Sequence, residues 1–228
     1  MYLETLVGGP GEFEPWLKLY LKDFAGKTLV TDDFVAHFKA HFAPRCPEAL
    51  ARVDWDTWLY APGMPPAVNE FDDTLARQAK DLAARWHAAD VMGVGGVDAA
   101  QFAAADVEGW SSEQTVAFLS HLADLRAMKA LHPTTARAMG ELYGLDASRN
   151  AEIRFAWCKT CVAAEDEAAL PDALAFLREQ GRMKYVRPLF RALAASRMGK
   201  GPAAELFAEI RAQYHPVCEK MVARDLGM

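Results

Sequence analysis

The sequence predicts an all-α protein, and three observations carry that prediction. Apolar residues recur at helical spacing through most of the chain, as at Phe13, Trp16, Leu17, Tyr20 and Phe24. No stretch shows the two-residue alternation of a half-buried strand. Capping residues, glycines and prolines separate the apolar runs at short intervals, which is typical of antiparallel helix pairs stacked into an α-solenoid. The runs are too unevenly spaced to define a sequence repeat.

Composition and charge narrow the class of protein. The chain has 228 residues and a net charge of −6, so a core can form without disulfides and a nucleic-acid partner has no electrostatic support. There is no apolar run long enough to span a membrane, and no basic-then-apolar N-terminus typical of Sec export. The 4 cysteines lack a framework spacing, which fits a reducing compartment. We therefore expect a cytoplasmic protein with neither a nucleic-acid nor a membrane partner.

The N-terminal part predicts three helices followed by a linker. Residues 1–7 are too few for an independent helix and are interpreted as the last turns of a longer element. The aromatic helix that follows ends at Gly26, and residues 31–33 (TDD) cap the next one. Residues 54–66 (DWDTWLYAPGMPP) contain three prolines and a glycine after a run of aromatics. That composition predicts an ordered linker, because proline cannot continue a helix and the aromatics can anchor the segment.

Every apolar run beyond the linker again has helical spacing. Residues 72–89 place Leu75, Ala79, Leu82 and Trp86 on one stripe, and Ser111 with Gln114 forms the pattern of a capping box. Further helices are expected from His132 to Gly144, over 150–162, from about Leu170, after residue 182, near Pro202 and from His215. The expected buried face of the helix over 150–162 consists of Ile153, Ala156, Trp157, Thr160 and Cys161.

Residues 179–190 (EQGRMKYVRPLF) hold the main candidate site. Three cations, Arg182, Lys184 and Arg187, fall within six residues between two apolar helical runs. Gly181 is expected to end the first helix in the left-handed conformation, and Pro188 suits the first turn of the second. In a near-extended connector, residues two apart point the same way, so Arg182 and Lys184 can converge on one anion. A following helix N-terminus adds positive potential. The alternative, a solvated basic loop, stays open on these residues alone.

His37 and His41 have the i, i+4 spacing of zinc ligands on a helix. The residue after His37 is Phe38, however, where a zinc hydrolase of that type needs a glutamate as general base. Because no third ligand is evident, two surface histidines are the favoured interpretation.

Two other patterns favour structural roles. Cys158 and Cys161 have redox spacing, but they fall in the middle of a helical run rather than at a strand-to-helix turn, so packing is favoured. Residues 93–96 (GVGG) follow a helix instead of a strand, which indicates a loop and not a phosphate site.

Four segments together resemble a known family. Residues 54–66, residues 150–157 (NAEIRFAW), residues 179–190 and residues 215–217 (HPV) are similar, in the right order, to landmarks of leukotriene A4 hydrolase and its bacterial and aminopeptidase B-like relatives. Residues 2–10 and 31–33 look like the last helices of that family's catalytic domain. The resemblance runs from end to end of the chain.

The resemblance implies both architecture and chemistry. The family consists of zinc aminopeptidases, some of which also hydrolyse the epoxide of leukotriene A4, with a thermolysin-like catalytic domain followed by a right-handed α-α superhelix of HEAT or armadillo type. It implies that residues 1–53 are the end of the catalytic domain, residues 54–70 a Pro-rich linker, and residues 71–228 the C-terminal helical domain. The zinc ligands of the family have no counterpart here, so no metal ligand or catalytic residue is assigned. Met1 falls within an expected family helix, which favours a truncated gene or a fragment.

One functional feature carries over residue by residue. The Gly-Arg-Met-Lys segment of the family supplies an arginine and a lysine that hold the substrate carboxylate, and these positions are Arg182 and Lys184 here. Arg187 receives no role beyond a structural or solvated one. The expected substrate is a peptide or another carboxylate-bearing molecule, bound together with the catalytic and N-terminal domains, and peptide and lipid-epoxide substrates stay undistinguished.

Two functions follow. The first is the C-terminal part of a zinc aminopeptidase or epoxide hydrolase, inactive alone and without a cofactor of its own. The second is a stand-alone helical-repeat scaffold that binds a protein or peptide. Under the first, Trp16, Tyr20, Trp55 and Trp58 are expected to contribute to an exposed apolar patch.

Overall fold

A computed structural model describes residues 1–68, 71–93, 101–127 and 129–228. Helix is the dominant structure in these ranges and no strand occurs in them, which confirms the all-α prediction. The helices are α1 (Tyr2–Leu6), α2 (Pro10–Asp23), α3 (Thr31–Phe42), α4 (Pro47–Ala51), α5 (Trp55–Tyr60), α6 (Thr74–Met92), α7 (Ser112–Leu125), α8 (Pro133–Tyr143), α9 (Ala151–Ala163), α10 (Leu170–Glu179), α11 (Met183–Ala195), α12 (Lys200–Ile210) and α13 (Pro216–Leu226).

The chain forms two compact units, Met1–Asp72 and Asp73–Met228. The first is built on an aromatic core in which Trp16 and Phe38 are fully buried. The helix α5 begins inside the predicted linker, because the Asp54 side chain caps it by accepting from the Thr57 N–H at 3.0 Å. At the start of α3 the capping group within residues 31–33 is Asp33, whose carboxylate accepts from the Val30 N–H at 3.0 Å.

The exposed apolar surface of the first unit does not come from the predicted tryptophans. Trp16 is 1% exposed, and Tyr20, Trp55 and Trp58 are half-buried. The expectation for these residues is therefore wrong, because their rings pack into the core or on neighbouring rings. The most exposed apolar side chains of this unit are different ones: Leu21, Val30, Tyr60, Met64, Val68 and Phe71.

The second unit stacks helices in two layers. Helices α7, α9, α11 and α13 contact one another in that order, while α6, α8, α10 and α12 lie against them, as in an α-α solenoid. Local capping is largely as predicted: Asn150, His132 and His215 accept from the first N–H groups of their helices. Only half of the expected capping box forms. The Gln114 N–H donates to Ser111 Oγ, but the Gln114 side chain donates to Leu75 O and Gln78 Oε1 on α6 instead of closing the box.

Helix α9 is buried on two sides rather than one. Trp157 and Cys161 belong to the hydrophobic cluster of α6–α8, whereas Cys158 and Val162 belong to the cluster of α10–α13. The prediction of a single buried face was incomplete, because a helix inserted between two cores carries apolar residues around most of its circumference. Leu75 was also misplaced: it is 60% exposed, while the rest of its predicted stripe is buried.

Candidate anion-binding site

The basic segment enters helix α11 without a left-handed residue. Helix α10 ends at Glu179, and Gln180 leaves it in an extended conformation (φ −107°, ψ 128°). Gly181 has no positive φ, and a Cβ built on it meets no atom within 4 Å. The prediction that Gly181 ends the helix in the left-handed region is therefore wrong, because an extended Gln180 already redirects the chain.

Arg182 and Lys184 occupy the start of α11. Arg182 is the extended residue before the helix (φ −75°, ψ 122°), and Lys184 lies in the first turn. Pro188 lies deeper inside the helix than predicted, since α11 begins at Met183. Its ring nitrogen has no proton to donate, so the Lys184 carbonyl lacks its usual helical donor.

The two cations converge on one aromatic ring. The Arg182 Cζ lies 5.4 Å from the ring centroid of Tyr185, and the Lys184 Nζ lies 4.9 Å from it. Both distances fall within the range of a cation–π contact. Tyr185 is buried and packs on Phe155 at 5.3 Å and on Phe176 at 5.8 Å between ring centroids. A fixed ring therefore carries both side chains.

One of the cations already binds a carboxylate of the same chain. The Lys184 ammonium pairs with Glu152 Oε1, and the Tyr185 hydroxyl donates to the same oxygen at 2.7 Å. These hydrogen bonds, that of Lys184 first, hold the pKa of Glu152 below its ordinary value. The Arg182 guanidinium makes no ion pair or hydrogen bond within the ranges that the structure describes. Its donors stay available to a ligand.

Glu152 is held on a fixed element. It lies in the first turn of α9, where its N–H donates to Asn150 Oδ1 at 2.9 Å. The Asn150 side chain donates in turn to Ser112 Oγ at 3.0 Å, which links the starts of α9 and α7. Glu152 and Tyr185 were not predicted as site residues. A pair separated by more than thirty residues has no local sequence signal, so only the packing of α9 against α11 reveals it.

A cavity of about 410 Å³ opens between α7 and α9 and reaches Glu152. Its walls are mostly apolar, with Leu119 and Phe155 among them, and Arg126 also lines it. The Arg126 guanidinium is buried and pairs with the equally buried Asp90. The cavity therefore borders the carboxylate partner of Lys184, while Arg182 and Lys184 themselves do not line it.

Arg187 does not belong to the cation pair. Its Nε and Nη2 donate to the two carboxylate oxygens of Asp225 at 2.6 and 3.2 Å, which ties α11 to α13. Of the two roles expected for Arg187, structural or solvated, these contacts favour the structural one.

Of the two histidines on α3, His37 makes hydrogen bonds through both ring nitrogens. His37 Nδ1 accepts from the Trp16 Nε1–H at 3.0 Å, so Nε2 carries the proton and lies 3.2 Å from Asp23 Oδ2. His37 is thus half-buried and engaged on both ring nitrogens, not a free surface residue as favoured from the sequence. Within the described ranges no three His, Cys, Asp or Glu side chains cluster as metal ligands would.

The cysteines pack as predicted. Cys158 and Cys161 are buried and reduced, and burial raises the pKa of Cys158 to about 12 and that of Cys161 further. Of the predicted glycine loop, Gly93 follows α6 and residues 94–96 lie outside the described residues.

Known proteins resemble the chain over its whole length. A family model described as "Leukotriene A4 hydrolase, C-terminal" matches residues 110–226. The leukotriene A-4 hydrolase of Xenopus laevis is 37% identical over 225 residues, which cover 99% of this chain and 36% of that protein. A leucine aminopeptidase 2 from Aspergillus clavatus is 37% identical over 229 residues, covering 99% and 35%.

Solved structures agree with this similarity. Native leukotriene A4 hydrolase from Saccharomyces cerevisiae matches 99% of this chain and 37% of its own, with a TM-score of 0.89 and 33% identity. The yeast enzyme in complex with bestatin matches with a TM-score of 0.83 and 32% identity. The chain spans about a third of the length of the relatives it matches. Across the part that the structure describes, no helix is both long and apolar enough to cross a membrane.

Proposed function

The chain belongs to the family of the leukotriene A4 hydrolase C-terminal domain, and on that premise we propose that it is the C-terminal helical part of an aminopeptidase-type hydrolase in which Arg182 and Lys184 anchor the substrate carboxylate. The observation that carries the proposal is the convergence of both cations on the Tyr185 ring, with Lys184 already paired to a carboxylate.

The chemistry of the two side chains suits this role. A guanidinium donates two parallel hydrogen bonds to a carboxylate, whereas an ammonium adds a point charge. The first turn of α11 adds the partial positive charge of a helix N-terminus. A carboxylate held in this way fixes the scissile bond relative to the reacting groups, and such positioning accounts for several kcal/mol of an activation barrier.

Zinc supplies the hydrolytic chemistry in the family that the sequence resembles. The donor set described here does not fit that ion, because His37 is engaged by Trp16 and Asp23 and the thiols of Cys158 and Cys161 are buried and protonated. We assign zinc binding and bond cleavage to the part of the relatives' length that this chain does not match. The chain alone is then expected to bind no stoichiometric zinc and to cleave no aminoacyl substrate. One tight zinc per chain in elemental analysis, with activity lost on its removal, would overturn this assignment.

The anchoring role is tested in a chimera. Residues 1–228 replace the matching part of yeast leukotriene A4 hydrolase, and kcat/KM is measured on a tripeptide with a free C-terminus and on its C-terminal amide. Arg182→Ala should lower kcat/KM for the free acid about 10- to 100-fold, the size of a lost charge-assisted hydrogen bond, and for the amide less than about threefold. Arg197→Ala is the control, because its side chain is 91% exposed in the same unit. Equal losses on both substrates refute the role.

The chimera and the isolated chain also distinguish the hydrolase function from the alternative scaffold function. An inactive chimera together with a clean monomer of the chain over a wide concentration range favours a stand-alone binding module. An active chimera favours the hydrolase.

A further inference from the structure

Glu152 gives the cation pair a defined charge. The cluster contains two positive groups, Arg182 and Lys184, and one negative group, Glu152, which is paired to Lys184. Its net charge is therefore one positive unit. The Tyr185 hydroxyl donates to the same Glu152 oxygen as Lys184 does, so the carboxylate cannot turn away without losing two hydrogen bonds.

The remaining positive group is Arg182. Arg182 lies over the Tyr185 ring, which Lys184 also contacts, and makes no ion pair in the described part of the chain. Lys184 and Glu152 are both about half exposed, so a ligand that approaches Arg182 also meets the field of Glu152. A ligand end that carries one carboxylate neutralises the net positive charge of the cluster. A second carboxylate close to the first would face Glu152 as a like charge.

We propose that Glu152 is a specificity-determining residue of this site, which restricts it to ligand ends that carry a single carboxylate. The inference rests on the proposed anchoring function of Arg182 and Lys184 and names the class of ligand that they select. For a peptide this means a neutral C-terminal residue in preference to aspartate or glutamate.

The probes are N-acetylasparagine and N-acetylaspartate, which have nearly the same shape and differ by one negative charge. Each is titrated into the ¹⁵N-labelled 228-residue chain, and the amide shifts of Arg182, Met183 and Lys184 report binding. The variant is Glu152→Gln, which keeps the shape of the side chain and an oxygen acceptor for Lys184 and Tyr185 but removes the charge. The ratio of the two dissociation constants cancels any general change in the fold.

Glu113→Gln is the matched control. Glu113 occupies the same position in α7 that Glu152 occupies in α9, the second residue of the helix, and it is exposed. Loss of a favourable charge–dipole interaction at a helix start is thus the same in both variants. Glu152 pairs with Lys184, whereas Glu113 has no ion pair with either cation in the described part of the chain.

In the wild-type chain N-acetylasparagine should bind more tightly than N-acetylaspartate. Glu152→Gln should shift the ratio of dissociation constants toward N-acetylaspartate by about three- to tenfold, the effect of removing a like charge roughly 6 Å away in a solvated site. Glu113→Gln should leave the ratio unchanged. The inference is overturned if the ratio of dissociation constants does not change in Glu152→Gln, or changes by the same factor in Glu113→Gln. In either case, binding of N-acetylasparagine would still support the anchoring function. If neither probe shifts the three amides, the anchoring function and the inference fall together.

Discussion

The buried ion pair between Arg126 and Asp90 should make the second unit unusually sensitive to one substitution, Asp90→Ala. Their side chains are only 6% and 3% exposed. Asp90 also accepts from the His132 N–H at 3.0 Å, so it joins the ends of α6 and α7 to the start of α8. Removing the carboxylate leaves a guanidinium in the interior with a single remaining acceptor, the Ala130 carbonyl at 2.7 Å.

The size of the effect follows from that environment. Breaking a buried pair by deleting one partner costs about 3–5 kcal/mol, because the remaining charge is no longer compensated. Arg126 Nε already lacks an acceptor among the described residues, so the guanidinium would keep few hydrogen-bond partners once Asp90 is removed. For a unit of this size 1 kcal/mol shifts Tm by roughly 2–4 °C, which predicts a drop of about 6–20 °C.

Asp73→Ala is the matched control for this prediction. Asp73 pairs with Arg77 at the other end of the same helix, but the two side chains are 62% and 65% exposed. Such a surface pair contributes about 0–1 kcal/mol. A double variant, Asp90→Leu with Arg126→Met, removes both charges and should recover most of the lost stability.

Urea unfolding followed by far-UV circular dichroism gives the free energies, and amide hydrogen exchange in α6 and α7 locates the change in the second unit. A loss in Asp90→Ala no larger than in Asp73→Ala would refute the reasoning. So would a double variant as unstable as Asp90→Ala, because the cost would then not come from an unpaired charge.

Two further predictions concern titrating groups. Since burial raises the pKa of Cys158 to about 12, Ellman's reagent at pH 8 should modify half-buried Cys46 within minutes and Cys158 only after unfolding, and rapid labelling of native Cys158 would contradict the buried packing of α9. Glu152 has a pKa below its ordinary 4.5, so its pairing stabilises the folded state above that pH and the contribution disappears as pH falls through the lowered value. Urea unfolding should therefore show wild type more stable than Glu152→Gln at about pH 6, with the gap narrowing as the pH falls below 4.5, and a gap that stays constant as the pH falls would contradict the pairing.

The helical class and most helix starts could be predicted from the sequence because they depend on neighbours within one turn. Asn150 and His215 accept from N–H groups two or three residues on, so each cap is complete within a few residues of chain. Apolar spacing is equally local. The role proposed for Arg182 and Lys184 came from the family resemblance, since their residue chemistry alone also suits a solvated loop.

The tertiary structure decided which groups meet. Glu152 reaches Lys184 and Tyr185 only because α9 and α11 lie side by side, and Cys158 is buried only because α9 is shared by two cores. The Gln114 side chain leaves its expected half of the capping box for the same kind of reason, since its amide group donates to Leu75 O and Gln78 Oε1 on α6. Helix periodicity specifies which face of a helix is apolar but not which helix covers it. The partner of a side chain thirty residues away is therefore set by packing, and that partner gives the site its charge.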